Sequence, residues 1–121
     1  MPGRRILRLN DLLREEISDL LRRETEDPEL QTLISITEVD TSPDLRVANV
    51  YFSTLGDEAH TARVLAHLRK AARFFRRELA QRLNLRHTPE LAFQLDPSIA
   101  RGARIMELLA NIQAEEASAP E

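Results

Sequence analysis

The sequence predicts a small α+β domain in which helices cover one face of a three-stranded mixed sheet. Its 121 residues, 42% of them hydrophobic, suffice for one domain with a core. Two segments have apolar residues at helical spacing, and two segments rich in β-branched residues lie between them. A third strand follows the second helical region, so the chain reaches it from the second strand through helix. That connection predicts a parallel pair of strands.

The composition excludes several classes of protein. The chain has no cysteine, which excludes disulfides and thiolate metal sites. It has no apolar run long enough to span a membrane, and its first residues become charged again at Asp11, before a secretory signal core develops. We therefore predict a cytoplasmic protein. Residues 1–113 should form a single domain, and residues 114–121, which offer nothing to bury, should form a disordered tail.

The first helix is predicted from Arg4 to Glu24. Its apolar residues share one face, and Pro28 ends it, because proline disfavours the helical conformation at the residue before it. Three arginines in its first turns, Arg4, Arg5 and Arg8, oppose the helix dipole. That cost is better tolerated if these arginines have an anionic partner, although a flexible start of the helix would also explain them. The stripe expected to face the core consists of Ile6, Leu9, Leu13, Ile17, Leu20 and Leu21.

An antiparallel hairpin should follow, made of the strands Leu33 to Thr41 and Leu45 to Thr54. The first strand changes the phase of its apolar alternation partway along, which predicts a β-bulge. Between the strands, Pro43 presets the backbone of a turn, and the polar residues beside it can bond to nearby amides. The second strand alternates regularly. Its core-facing residues should be Ala48, Val50 and Phe52.

The next helical region is predicted to run from an N-cap at Asp57 to about Leu83. About 25 residues are many for one helix in so small a domain, so we predict a break near Ala71 to Phe74. A short strand, Leu91 to Asp96, and a last helix opening at Pro97 should complete the chain. The inward positions of the strand should be Leu91, Phe93 and Leu95. The stripe of the last helix should be Ile105, Leu108, Leu109 and Ile112.

The segment from Arg63 to Arg86 carries a concentrated positive charge. It contains eight basic residues and one acid, Glu78, which leaves nine basic and 19 acidic residues in the rest of the chain. Most of the basic residues fall on the side of the helix opposite the apolar stripe. Because the acids that would pair with them along the helix are nearly missing, this face should meet negative charge. The apolar stripe is Leu65, Leu68, Ala72, Phe75, Leu79 and Leu83.

Structured RNA is the anionic partner that this pattern favours. Aromatic residues for base stacking are scarce, with Tyr51 and Phe74 as candidates, so the contacts should go to phosphates and overall shape. Three alternatives stay open. The arginine-rich face could simply be solvated, as exposed helix faces often are. It could instead meet an acidic protein, which would make the chain an adapter, and DNA is a weaker alternative. The predicted RNA contacts are Arg63, Lys70, Arg73, Arg76 and Arg77, with Arg4, Arg5 and Arg8 as a second cluster.

Catalytic and metal-binding motifs are missing from the sequence. His60 and His67 are two helical turns apart and His87 falls in a loop, so their spacing does not suit a shared metal. The three glycines form no phosphate-binding loop, and no serine has a neighbouring base that suggests a catalytic triad. We predict a non-enzyme with no metal, no cofactor and no small-molecule substrate.

The chain up to about Ile112 resembles ribosome-binding factor A, a family of bacterial factors in small-subunit maturation. The resemblance rests above all on ITEVDTSPDLRVANVYFS, which runs from Ile36 to Ser53. The individual motifs are modest, but their order and spacing across the whole domain make the match specific. The other matching stretches are Arg5-Ile6 with Glu15-Glu16-Ile17, Asp27-Pro28, FFRREL over residues 74–79, LRHTPELAF over residues 85–93, and Asp96.

The resemblance implies a type II KH-like fold with the element order α-β-β-α-α-β-α. It also implies binding to the free 30S small ribosomal subunit and its 16S ribosomal RNA during late maturation, a role in 16S processing and cold adaptation, and neither catalysis nor a cofactor. We expect a monomer. In the family, an Ala-x-Gly kink separates two helices. The motif falls here on Ala71-Ala72-Arg73, so Ala71 matches and the charged Arg73 stands where the glycine would be.

Overall fold

The computed structural model of the protein describes residues 3–23, 25–97 and 109–110. In these ranges the chain forms two long helices, one short 3-10 helix and three strands. In chain order they are α1 (Arg4–Arg23), the 3-10 helix (Pro28–Gln31), β1 (Ile34–Thr41), β2 (Val47–Thr54), α2 (Glu58–Leu83) and β3 (Glu90–Leu95).

The three strands form one mixed sheet in the order β1-β2-β3. β1 and β2 pair antiparallel, with a bulge where the register shifts between Ile36 and Glu38. β2 and β3 pair parallel, from Val47 opposite Glu90 to Phe52 opposite Leu95. The predicted α+β class, hairpin, bulge and parallel pair are therefore confirmed.

The core lies between the two helices and one face of the sheet. Alternate residues of β2, Ala48, Val50 and Phe52, are fully buried, as the alternation predicted. From α2, the ring of Phe75 lies 5.6 Å from the ring of Phe93 on β3, so helix and sheet meet through aromatic packing. Leu95 was predicted to face inward as well. It remains 40% exposed because it is the last residue of β3, at the end of the sheet.

The helix α2 is continuous through its 26 residues, and the predicted break near Ala71 to Phe74 is wrong. No proline or glycine lies in this range, and these are the residues that most often kink or end a helix. At the motif position where the family has glycine, Arg73 is a good helix former. The segment predicted as two consecutive helices is one helix about 39 Å long, at about 1.5 Å per residue.

Capping side chains define the ends of α2. Asp57 is the N-cap, as predicted, and its Oδ1 accepts a hydrogen bond from the backbone N–H of His60 at 2.8 Å. Asn84 ends the helix in the left-handed conformation with φ of 49°, a conformation that asparagine tolerates better than most residues. The loop that follows leads directly into β3.

An arginine holds α2 against α1. Nη1 of Arg82 lies 3.0 Å from Oε2 of Glu16 and 2.9 Å from Oδ2 of Asp19, both on α1. This hydrogen bond from Arg82 lowers the pKa of Asp19 below its ordinary value. The three side chains are mostly shielded from solvent, so the contact fixes how the two helices cross.

The C-terminal predictions fall largely beyond these residues. The tail at residues 114–121 and most of the predicted last helix lie outside the described residues. Leu109 and Ala110 are helical and exposed. Among the described residues, no helix is both long and apolar enough to cross a membrane.

Candidate nucleic-acid interface

Five basic side chains project into solvent from the middle of α2. The same helix buries Val64, Leu68, Phe75 and Leu79 completely on its opposite side. Burial of that apolar side fixes the rotation of the helix, so the basic side is presented outward as a rigid surface. The five exposed residues are Arg69, Lys70, Arg73, Arg76 and Arg77.

None of these five side chains forms an ion pair with the residues that the structure describes. An exposed helix usually offsets such charge with acids three or four positions away, but none of these five residues has an acid at that spacing; the nearby Glu78 is half-buried. Their charges therefore remain available to an external anion. Four of these five residues are predicted RNA contacts; the fifth, Arg69, was counted in the basic segment but not assigned to the site.

Arg63, also a predicted contact, lies in a different environment. Its Nε is 3.7 Å from Oε1 of Glu29 on the 3-10 helix, and 55% of its side chain is exposed. One turn further along α2, Nδ1 of His67 lies 2.5 Å from Oδ2 of Asp27. The hydrogen bond with His67 lowers the pKa of Asp27. Arg63 thus helps to hold the 3-10 helix on α2, and only part of its side chain is offered to a ligand.

Arg76 occupies the centre of the basic surface. Its Nε donates a hydrogen bond to the carbonyl oxygen of Thr88 at 3.0 Å, which ties the guanidinium to the loop between α2 and β3. A guanidinium oriented in this way keeps its terminal N–H groups directed at a ligand, and arginine binds phosphate oxygens through such a fork. Three neighbouring depressions in the surface all include Arg76 in their walls.

Two of these depressions form a basic groove that follows α2. The name basic groove is used below for the surface lined by Arg69, Arg73, Arg76, Arg77, Arg86 and His87, which the acid Glu90 also lines. The third depression, of about 570 Å³, opens beside the turn between β1 and β2. We call it the turn pocket, and its walls include Leu45, Arg46, Arg76, His87 and Glu90. The groove and the pocket share Arg76 and His87, so they form one continuous concave surface.

The second predicted cluster, Arg4, Arg5 and Arg8, is exposed on the first turns of α1. Oδ1 of Asn10 accepts a hydrogen bond from the backbone N–H of Thr41 at 2.9 Å. This bond places the first turns of α1 at the end of the sheet where β1 enters the turn. The three arginines line none of the depressions that form the groove and the turn pocket.

Besides Arg69, the structure adds three basic residues that were not assigned to the site: Arg46, Arg86 and His87. Arg46 lies after the turn and His87 lies before β3, 41 positions apart in the sequence. They meet because β2 and β3 are parallel neighbours whose first residues, Val47 and Glu90, are in register. No local sequence pattern predicts that register. Among the described residues, no group of three or more acidic or histidine side chains is arranged to hold a metal ion.

The fold and this site define the class: a small α+β domain with one continuous basic face of the kind that contacts a polyanion. Comparison of the sequence gives the particular family. The family model described as ribosome-binding factor A matches residues 5–109. The chain therefore belongs to the ribosome-binding factor A family.

Relatives and solved structures agree with that assignment. The chain is similar to ribosome-binding factor A of Acetivibrio thermocellus, with 48% identity over 92% of this chain and 90% of the relative. It is also similar to that of Halothermothrix orenii, with 42% identity over 98% and 96%. The crystal structure of the Thermus thermophilus protein has a TM-score of 0.65 and 28% identity, over 74% of this chain and 94% of that one.

A further structure concerns an assembly. A homology model of the Thermus thermophilus factor, described as fitted into the cryo-EM map of a 30S–RbfA complex, is similar to this chain with a TM-score of 0.54. The identity is 31%, over 74% of this chain and 88% of the other. For that protein, the description gives the 30S subunit as its partner.

Proposed function

We propose that this protein binds the free 30S ribosomal subunit through 16S ribosomal RNA during late subunit maturation. The observation that carries the proposal is the row of five exposed basic side chains on the continuous helix α2, none of which forms an ion pair with the described residues. The assembly reported for the Thermus thermophilus relative supports the same partner for this chain.

The proposed contact is made mainly with phosphates. The helix is held rigidly by its buried side and by Arg82, so its basic side chains need little ordering when a phosphate backbone arrives. Arg73 and Arg77 are one turn apart and can contact neighbouring phosphates, while Arg76 is already oriented by Thr88. Each phosphate neutralised adds about −0.7 to −0.9 to the salt slope of binding, so four or five contacts make affinity fall steeply with salt.

The finer roles follow from the same proposal. The protein acts in 16S processing and in cold adaptation as a non-catalytic, cytoplasmic monomer that needs no cofactor. Residues 1–113 form its RNA-binding domain. Arg4, Arg5 and Arg8, which lie outside the groove, contribute a second phosphate contact.

An acidic protein partner is a weaker proposal for the same face. Protein interfaces of this kind usually place an exposed aromatic anchor beside the charges. The candidate anchor was Phe74, and its ring is half-buried and packed edge-on against Phe75, with 5.6 Å between the ring centroids. The basic surface therefore lacks an exposed aromatic anchor among the described residues and favours a phosphate backbone.

The experiment is co-sedimentation of the protein with free 30S subunits, mature ribosomes and naked 16S RNA across a salt series. We expect salt-sensitive binding to free subunits that is lost on mature ribosomes. Arg73→Glu should reduce it by tenfold or more, at about 1.4 kcal/mol per factor of ten. The matched control is Arg14→Glu, which makes the same charge change at an exposed position of α1. Circular dichroism must show both variants folded. Absence of binding at low salt would overturn the proposal.

A further inference from the structure

The turn between β1 and β2 is built rigidly around the turn pocket. The backbone N–H of Leu45 donates to the carbonyl oxygen of Ser42 at 2.9 Å, which closes the turn. Oδ1 of Asp44 accepts hydrogen bonds from the Ser42 hydroxyl at 2.6 Å and from the Arg46 N–H at 3.1 Å. The bond from Ser42 contributes most to lowering the pKa of Asp44. The wall of the pocket on this side is therefore preorganised.

Leu45 holds an unusual conformation in this wall. Its φ is 62°, in the left-handed region where a turn of this kind normally has glycine. Leu45 is 39% exposed on the pocket wall, so burial in the core does not compensate for the strained backbone. Strain of this sort is found where the surrounding structure holds a residue for function. The result is a fixed apolar surface offered to the pocket.

The opposite walls of the pocket carry complementary polar groups. Arg76 and Arg46 supply positive charge, and the guanidinium of Arg76 is oriented by Thr88. Glu90 supplies a carboxylate that is exposed and makes no side-chain hydrogen bond or ion pair with the described residues. Asp44 also lines the pocket: the turn occupies its Oδ1, and its Oδ2 lies 3.9 Å from Nε of Arg46 in an exposed ion pair. The pocket thus presents a phosphate-binding side, an apolar wall and one free acceptor.

We propose that the turn pocket receives a single unpaired guanosine nucleotide of the bound RNA, an inference that rests on the proposed function. The nucleotide phosphate lies against Arg76 and Arg46, and the base face packs on Leu45. The Glu90 carboxylate accepts hydrogen bonds from the base edge. Guanine offers N1–H and the N2 amino group side by side, which match the two oxygens of a carboxylate. Adenine and cytosine offer a single amino group there, and uracil a single N–H.

The size and position of the pocket suit such a ligand. Its volume of about 570 Å³ falls within the range of small-ligand sites. Because Arg76 and His87 belong both to the pocket and to the basic groove, a backbone that follows the groove can turn one nucleotide into the pocket. Sequence-specific readers of RNA commonly bind unstacked bases by their edges in this way.

The test uses the full-length protein and five-nucleotide single-stranded RNAs with guanine, inosine or adenine at the centre of a uridine background. Inosine lacks only the N2 amino group of guanine. We expect the guanine RNA to bind at least about fivefold more tightly than the inosine RNA, the lower end for a bidentate contact to a base. Glu90→Gln should remove this preference. Glu38→Gln, an exposed glutamate on the edge strand β1, is the matched control and should retain it.

The sign of the Glu90→Gln effect decides between direct contact and simple repulsion. A solvated carboxylate beside a basic groove repels phosphate, so its neutralisation would tighten all three RNAs equally. If Glu90 contacts the base, Glu90→Gln lowers the affinity for the guanine RNA relative to the affinity for the inosine RNA. Equal tightening, or equal affinity of the unmodified protein for guanine and inosine, would overturn the inference.

Failure of this inference is distinguishable from failure of the proposed function. If all RNAs and the 30S subunit bind in a salt-sensitive manner but without base preference, the pocket proposal alone is wrong. If neither the RNAs nor the 30S subunit bind at low salt, both proposals are wrong. Nuclear magnetic resonance can show whether the guanine RNA reaches the pocket. The arginine Nε–Hε signal that disappears in Arg76→Lys belongs to Arg76, and it should change when this RNA binds. An unchanged signal would contradict binding in the pocket.

Discussion

Arg77 and Arg82 lie little more than one turn apart on α2, and they occupy opposite environments. Arg77 is exposed and has no ion pair among the described residues. Only 24% of the Arg82 side chain is exposed, and it bridges Glu16 and Asp19 on α1. The same residue type thus holds two helices together at one position and offers charge to a ligand at the other. The difference shows that the role of each arginine depends on the element packed beside it, and not on the helix alone.

The largest expected effect on stability is at Arg82. Arg82→Ala leaves two partly shielded carboxylates, Glu16 and Asp19, close together without their common partner. We expect the thermal midpoint to fall by about 5 °C or more. Arg77→Ala should leave the midpoint unchanged within about 2 °C, because surface substitutions have small effects. Thermal melts followed by circular dichroism measure both, and equal shifts in the two variants would contradict the structural role of Arg82.

The converse effect is expected in RNA binding. Arg77→Ala should weaken binding to 30S subunits about fivefold to tenfold and reduce the salt slope by about one, since one phosphate contact is lost. Arg82→Ala, measured below its melting temperature, should keep the salt slope of the unmodified protein. A salt slope that falls equally in both variants would show that Arg82 also contacts RNA.

Arg63 provides an intermediate case. Its ion pair with Glu29 is long, 3.7 Å, and half-exposed, so it adds little to stability. We expect Arg63→Ala to weaken 30S binding about twofold to threefold, less than Arg77→Ala does. Glu29→Gln releases Arg63 and should tighten binding slightly. Binding of both variants to 30S subunits across a salt series tests these expectations, and tighter binding by Arg63→Ala would contradict them.

The turn pocket offers a case in which function opposes stability. Leu45→Gly removes the strain of a left-handed leucine, about 1–2 kcal/mol, and adds the entropic cost of glycine, about 0.5–1 kcal/mol. We expect a net gain in stability of about 0.5–1 kcal/mol with weaker binding of the guanine RNA. Leu45→Ala is the control that retains the strain and should not stabilise. Denaturant unfolding measures the first effect, and a loss of stability in Leu45→Gly would contradict this account.

The smallest effect concerns acid. The pKa values of Asp19 and Asp27 are lowered in the folded protein by hydrogen bonds from Arg82 and His67. The unfolded chain therefore binds more protons, so their contribution is complete above the ordinary carboxyl pKa of 3.8 and is lost as pH falls below it. Thermal melts between pH 7 and pH 3 should show this loss, and Arg82→Ala should reduce it. If Arg82→Ala loses as much stability in acid as the unmodified protein does, other carboxylates cause the loss.

Local features of the fold were predicted well because they depend on neighbouring residues. The span of α1, the N-cap at Asp57 and the bulge near Thr37 follow from spacing and capping within a few residues. The predicted break in α2 was wrong because the prediction used only the length of the helical segment. Contacts with other elements stabilise this long helix: the 3-10 helix contacts Arg63 and His67, and the loop before β3 contacts Arg76.

Sequence patterns alone predicted the α+β class and the buried and basic sides of α2. These depend on periodicity, which each segment carries within itself. The tertiary structure decided which arginines remain available and how the turn pocket forms. Arg82 is occupied because α1 supplies two acids, and Arg46, Arg76 and Glu90 meet because β2 and β3 pair in parallel. Such contacts join residues far apart in the chain, so no local pattern encodes them.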